Sequence, residues 1–248
     1  MSFFNRNLTA ADYRLEAGRK CSKFSSTLAV IYLVYFVIAV GISLVISLPT
    51  ANGETTTTIS SGTNILSVFY TGHIMVGLII ISSKIHNDVK PEVNDLFKGF
   101  KNYGGVLGVY ILQNIYIALW SLLFVIPGLV KTYSYAMSLY IINDNPNKGI
   151  KDCITESRKM MDGNKWKLFC LDFSYIGWYL LSGFTFGILL LWVLPKHEYA
   201  RYLFYLKVSG KGRLAEVQAE EELKAAEEQK VEDYSVIDEL DKKFDSID

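Results

Sequence analysis

The chain is poor in the residues that build disulfide scaffolds and metal centres. Its 248 residues include three cysteines (Cys21, Cys153, Cys170) and three histidines (His73, His86, His197). None of these falls into a CxxC or ligand spacing, so the cysteines read as free thiols. Neither a metal nor another cofactor is expected. Walker A, HExxH and GxSxG patterns are absent, as is a GxGxxG with a following acidic residue, so the expectation is a protein that is not an enzyme. Net charge is lacking too: 25 Lys+Arg balance 25 Asp+Glu. That zero hides a segregation, because residues 1–213 carry +9 and residues 214–248 carry −9. A basic body is joined to an acidic tail, and nothing in this balance asks for a nucleic-acid partner.

What the chain has in quantity is apolar sequence, with half its residues hydrophobic and a mean hydropathy of +0.22. Thr27–Leu48 is 22 residues without a charge, long enough for a hydrocarbon core of about 30 Å. Further spans are expected over about 65–83, 106–126, 129–142, 166–181 and 183–206. The polar stretch before Thr27 is not a cleavable signal sequence, and the first apolar run reads as a signal anchor. Within Leu119–Pro146 the step Ile126-Pro127-Gly128 interrupts an apolar run. Pro127 cannot donate the helical hydrogen bond, and Gly128 weakens a helix by about 1 kcal/mol relative to Ala. Backbone left open in hydrocarbon is costly, so Pro127 and Gly128 are expected to form the structural turn of a hairpin or a packed kink.

Cations orient the spans. They gather in residues 1–26 (Arg6, Arg14, Arg19, Lys20, Lys23), 84–102 (Lys84, Lys90, Lys98, Lys101) and 147–167 (Lys148, Lys151, Arg158, Lys159, Lys165, Lys167), whereas residues 49–63 have none. The fold class expected is all-α: a polytopic bundle of about six spans, with both termini cytoplasmic. The division is a cytoplasmic segment 1–26, a transmembrane domain 27–207 and an acidic tail 208–248. A five-span alternative would export Lys207, Lys211 and Arg213. Val93, Leu96, Phe97 and Phe100 lie at helical spacing opposite lysines, as do Ile150, Cys153, Ile154, Ser157 and Met161. Both segments read as amphipathic helices in the cytoplasmic interface, drawn to anionic lipid. With a weaker third at 10–23, each precedes a pair of spans, which suggests three repeats of interfacial helix plus hairpin.

Ionisable groups at membrane depth cost about 2.5–3.5 kcal/mol each on insertion scales and are candidate functional residues. They are His73, Lys131, Asp172, Glu198 and Arg201. Lys131 either snorkels from the hairpin tip or lies embedded beside a kink, and Asp172 is expected to face Lys167 or a base on another helix. Glu198 and Arg201 are three apart and expected to pair along one helix face. Gln113 and Asn114 read as bonds between helices. In the tail, Ile237, Leu240, Phe244 and Ile247 recur at steps of three and four among acids, a pattern suited to docking on a cytoplasmic protein partner or on the chain's own basic cytoplasmic face.

The order Leu119-Trp120, Ile126-Pro127-Gly128, Ser134-Tyr135-Ala136-Met137, Asp144-x-Pro146 resembles a bacterial integral-membrane family catalogued as domain of unknown function 975. The likeness continues through Ser157, Met161, Gly163, Phe173, Gly177-Trp178, Gly187, Pro195 and Phe204-Tyr205, and covers roughly residues 10–207. Lys196 departs from the pattern, which has Tyr after the proline. The resemblance implies a multi-pass plasma-membrane protein with no assigned reaction, and it carries over no catalytic residue. The functional expectation is a non-enzymatic membrane interaction or scaffold protein, whose partners are the lipid bilayer and a cytoplasmic protein. The alternative is a small transporter or a lipid- or peptide-handling permease.

Overall fold

A computed structural model describes residues 3–5, 7–47, 57–214 and 217, and every regular element among them is helical. The tail positions Ile237, Leu240, Phe244 and Ile247 lie outside the described residues, as does most of the polar 49–63 segment. Ten α-helices follow a short 3-10 turn at Phe3–Asn5: α1 (Ala10–Ser22), α2 (Ser25–Ser47), α3 (Thr57–His86), α4 (Tyr103–Leu123), α5 (Val125–Tyr135), α6 (Ser138–Asp144), α7 (Ile150–Met160), α8 (Lys165–Phe173), α9 (Ile176–Phe184) and α10 (Leu190–Val208). A second 3-10 segment, Val93–Asn102, leads directly into α4.

Local chemistry sets several of these limits. Thr9 caps α1 in a reciprocal box: its hydroxyl accepts from the Asp12 N–H, and the Asp12 carboxylate accepts from the Thr9 N–H at 2.8 Å. Gly210, at φ +75°, follows the last turn of α10 in the left-handed conformation that a side chain resists. The α4–α5 hairpin corrects the expected turn. The chain reverses at Phe124, whose backbone is extended (φ −159°, ψ 145°), and not at Pro127–Gly128. Pro127 is the third residue of α5, inside the first turn, where the N–H has no helical acceptor and its loss is harmless. Gly128 serves the packing instead: a Cβ there would stand 2.1 Å from the Ser121 hydroxyl, so the two arms approach closely because it is glycine.

The expected spans at 129–142 and 166–181 are not continuous helices. The first is divided between α5 and α6 at Ala136–Met137, and the second between α8 and α9 at Ser174–Tyr175. Both joints have their backbone satisfied by side chains from elsewhere. Ser157 of α7 donates to the Ser134 carbonyl (3.0 Å) and accepts from the Met137 N–H (3.2 Å). Arg14 of α1 donates to the Ser174 carbonyl at 2.9 Å. A break that periodicity cannot show is thus held by polar groups from distant sequence. The expected span at 183–206 begins in the last residues of α9 and passes through a turn at 185–189, and α10 starts at Leu190.

Among the described residues, one continuous helical stretch, Val93–Leu123, is long and apolar enough to cross a bilayer. Helix α1 together with Ser25–Gly41 passes the same test as a pair bent by 97°. An unbroken six-span bundle is therefore not what these helices display.

The core runs through α2, α3, α6 and α10, with Ile31, Ile81, Ile85, Ile142, Tyr199, Phe204 and Tyr205 almost fully buried. Its tightest contact joins α3 to the 3-10 segment. A Cβ on Gly77 would stand 2.1 Å from the Leu96 carbonyl oxygen, and one on Gly99 would stand 2.0 Å from that of His73. The two backbones touch through a pair of glycines, beside a fully buried Asp95 that bonds Lys84 (2.8 Å) and Lys98 (2.5 Å).

Candidate functional site

Helix α10 carries Pro195, Lys196, His197, Glu198 and Arg201 through the middle of the bundle. His197 and Arg201, four residues apart, share a face and meet Asp172 of α8. The Asp172 carboxylate lies 2.9 Å from His197 Nε2 and 3.6 Å from Arg201 Nε. On the other side of the imidazole, Nδ1 lies 2.6 Å from the Tyr179 hydroxyl of α9, and the Tyr175 ring packs 4.7 Å away. Asp172, His197 and Tyr179 therefore form a hydrogen-bonded chain with both ring nitrogens engaged. With a neutral ring, Nε2–H donates to Asp172 and Nδ1 accepts the tyrosine proton. When the ring is protonated, Nδ1–H donates to the tyrosine oxygen, and the carboxylate balances the cation. The same geometry serves both protonation states.

The expected Glu198–Arg201 pair is not formed. Arg201 reaches across to Asp172, whereas Glu198, one residue on from His197, faces α2 and α3 and lines a cavity with Tyr32, Tyr35 and Tyr70. A spacing of three makes pairing possible along a helix, but Asp172 on α8 is the acid that meets the guanidinium. Asp172 does face a base on another helix, and that base is not Lys167. His197 and Tyr179 complete the chain; the sequence marks the first by its charged neighbours and offers no signal for the second.

The remaining candidates lie apart. His73 is fully buried between the rings of Phe100 (4.8 Å) and Tyr103 (4.5 Å), and its Nε2–H donates to the Tyr103 carbonyl at 3.1 Å. Lys131 is half-buried, its ammonium 4.5 Å from the Trp120 ring centre. It is six residues into α5 and lines a cleft of about 330 Å³ with Lys151 and Arg158 of α7, so it does not reach past the hairpin tip. Asn114 bonds the Tyr110 carbonyl of its own helix at 2.7 Å, and Gln113 Oε1 is buried with no hydrogen-bond partner among the described residues, so neither joins two helices. Among the described residues no three His, Cys, Asp or Glu side chains converge as metal ligands.

Several positions of the sequence pattern meet in space: Ser157 closes the joint beside Ser134 and Met137, and the Tyr205 hydroxyl donates to Asp144 at 2.5 Å. The family described as Protein of unknown function (DUF975) matches residues 124–212, about a third of the chain, and this stretch holds all of α5 to α10. The chain is thus similar to an uncharacterised family over the third that contains the Asp172–His197–Arg201 group. No curated protein and no solved structure matches the chain.

Proposed function

We propose that the chain is a multi-pass protein of the cell membrane, and that it acts as a non-enzymatic interaction or scaffold protein in the lipid bilayer. In this reading three hairpins provide six arms, two of them broken helices closed by Ser157 and Arg14, with both termini cytoplasmic. One observation carries it: the polarity of the bundle is reversed at its tips. Leu122, Leu123, Phe124, Val125 and Ile126 at one tip are exposed, as are Phe184, Phe186 and Ile188 at another, with Phe186 at 98%. In water such contiguous apolar surface is a liability. Meanwhile His73, Asp95, Ser134, Ser138, Ser157 and His197 are buried. The most apolar stretch of Val93–Leu123 is only 11% buried, unlike the core helix of a water-soluble protein. The 97° bend lays α1 across α2, as an interfacial helix lies across a span.

The docking of a cytoplasmic partner rests on the acidic tail sequence. The expected outcome is that the protein stays in the membrane fraction through a high-pH wash and leaves it only with detergent. Deletion of 214–248 then removes a co-purifying protein without changing the membrane fraction. Release by the wash would defeat the membrane reading, and an unchanged set of co-purifying proteins would defeat the scaffold.

The second reading, a small transporter, is favoured by the Asp172–His197–Tyr179 chain beside the α8–α9 break, since substrate and proton sites in transporters use interrupted helices. Under it, Asp172→Asn or His197→Gln abolishes the cellular phenotype with the tail intact. A phenotype that follows the tail alone would exclude it.

A further inference from the structure

Glu198 is one residue from His197, and its surroundings are of the opposite kind. It lines a cavity of about 140 Å³ between α2, α3 and α10, with Tyr32, Tyr35, Tyr70, Met75 and Leu194 among the walls. The Tyr32 and Tyr35 rings meet edge-on, with centres 6.3 Å apart and planes at 69°. Among the described residues Glu198 makes no hydrogen bond and no ion pair, and the Arg201 guanidinium on the same helix is turned to Asp172. Glu198 acts on Arg201 only through space, without an ion-pair contact, so its carboxylate leaves a negative charge at the cavity wall available to a ligand.

The walls select among ligands. An anion is repelled by Glu198, and a neutral apolar molecule leaves the carboxylate unpaired. A small metal cation needs several oxygens to replace its water shell, and one carboxylate among tyrosines and aliphatic side chains is a poor substitute. An organic ammonium is different, being weakly hydrated and attracted to the faces of tyrosine rings. We propose that the Glu198 cavity binds a small organic ammonium group, with Glu198 as its counter-charge and Tyr32, Tyr35 and Tyr70 as its walls. The site goes beyond the membrane reading and does not rest on it, since the cavity geometry is the same in either case.

The test uses the full chain purified in maltoside detergent and follows heat of binding for choline and for 3,3-dimethylbutan-1-ol, which has the same shape without the charge. The wild type is expected to bind choline at least about tenfold more tightly than the alcohol, a difference of roughly 1.4 kcal/mol. Glu198→Gln and Tyr35→Leu should each weaken choline by roughly tenfold or more, and Glu198→Asp by less. Glu198→Gln keeps the size of the side chain and breaks no ion-pair contact, so it should melt within a few degrees of the wild type, which separates loss of binding from loss of fold. Competition by dihexanoylphosphatidylcholine would assign the ammonium to a lipid headgroup, and choline binding without it to a soluble amine. Equal binding of choline and the alcohol, no effect of Glu198→Gln, or no choline binding by folded protein would each overturn the proposal.

Discussion

His73 and His197 are both buried in helical surroundings, one fully and one with 8% of its surface exposed, yet their neighbours differ in kind. His73 gives one ring N–H to a backbone carbonyl and is clamped between two aromatic faces, beside glycines that bring α3 and the 3-10 segment into backbone contact. A carbonyl cannot pass on a proton, so this bond fixes the ring in its aromatic slot. His197 lies between a carboxylate and a phenol, each able to exchange a proton with the ring, and an arginine shares the carboxylate. Burial alone does not separate the two. What distinguishes His197 is that its carboxylate and phenol partners can both exchange protons with the ring.

Variants around the two histidines can break or sharpen that contrast. The largest effect is expected at the backbone contact beside His73. Gly99→Leu places a side chain where a Cβ already meets the His73 carbonyl at 2.0 Å, and should cost about 3 kcal/mol or more, seen as loss of a monodisperse folded peak. Gly177→Ala, with nothing within 4 Å, is the control that should fold normally. His73→Ala comes next, at roughly 2–4 kcal/mol, because it empties a closed aromatic slot. His197→Gln should cost less, about 1–2 kcal/mol, since Asp172 keeps Arg201. Thermal melting orders the two histidine variants. If His197→Gln proved the more damaging, the contrast drawn between the two histidine surroundings would fail.

The smallest effect concerns Asp88, far from both, where α1 and the end of α3 are tied. Hydrogen bonds from Lys20 (2.5 Å) and then Lys23 (2.8 Å) hold its carboxyl down at about 2. A depressed carboxyl contributes stability that is fully present above its unfolded value of about 4 and is lost as pH falls through about 2. Asp88→Asn should therefore flatten the acid side of the melting curve between those values and lower stability by the same small amount at every pH above about 4, small because the pair is exposed. An unchanged acid limb would show that the pair contributes nothing.

The sequence made the helices legible, because runs such as Thr27–Leu48 and Val106–Ile126 are apolar throughout and admit no other element. It also placed the candidate ionisable residues on α3, α5, α8 and α10. Partner choice was not legible. Glu198 and Arg201 sit at a pairing distance along the helix, and only the approach of α8 shows that Asp172 takes the guanidinium. Pro127 signalled a break near the right place, but proline is tolerated in a first turn, so the reversal at Phe124 carries no residue signature. The joints at Ala136–Met137 and Ser174–Tyr175 were invisible because Ser157 and Arg14, which satisfy them, come from distant sequence.

The membrane placement underlies the reading of both hairpin tips, and labelling from outside intact cells tests it most directly. With Cys170 replaced by Ser, single cysteines at Glu54, Phe124, Phe186, Lys90 and Asp152 would be exposed to a membrane-impermeant maleimide. The account predicts labelling at Glu54→Cys in intact cells, lipid protection of Phe124→Cys and Phe186→Cys until detergent is added, and labelling at Lys90→Cys and Asp152→Cys only after the membrane is opened. Labelling of Lys90→Cys or Asp152→Cys in intact cells, with Glu54→Cys protected, would contradict it.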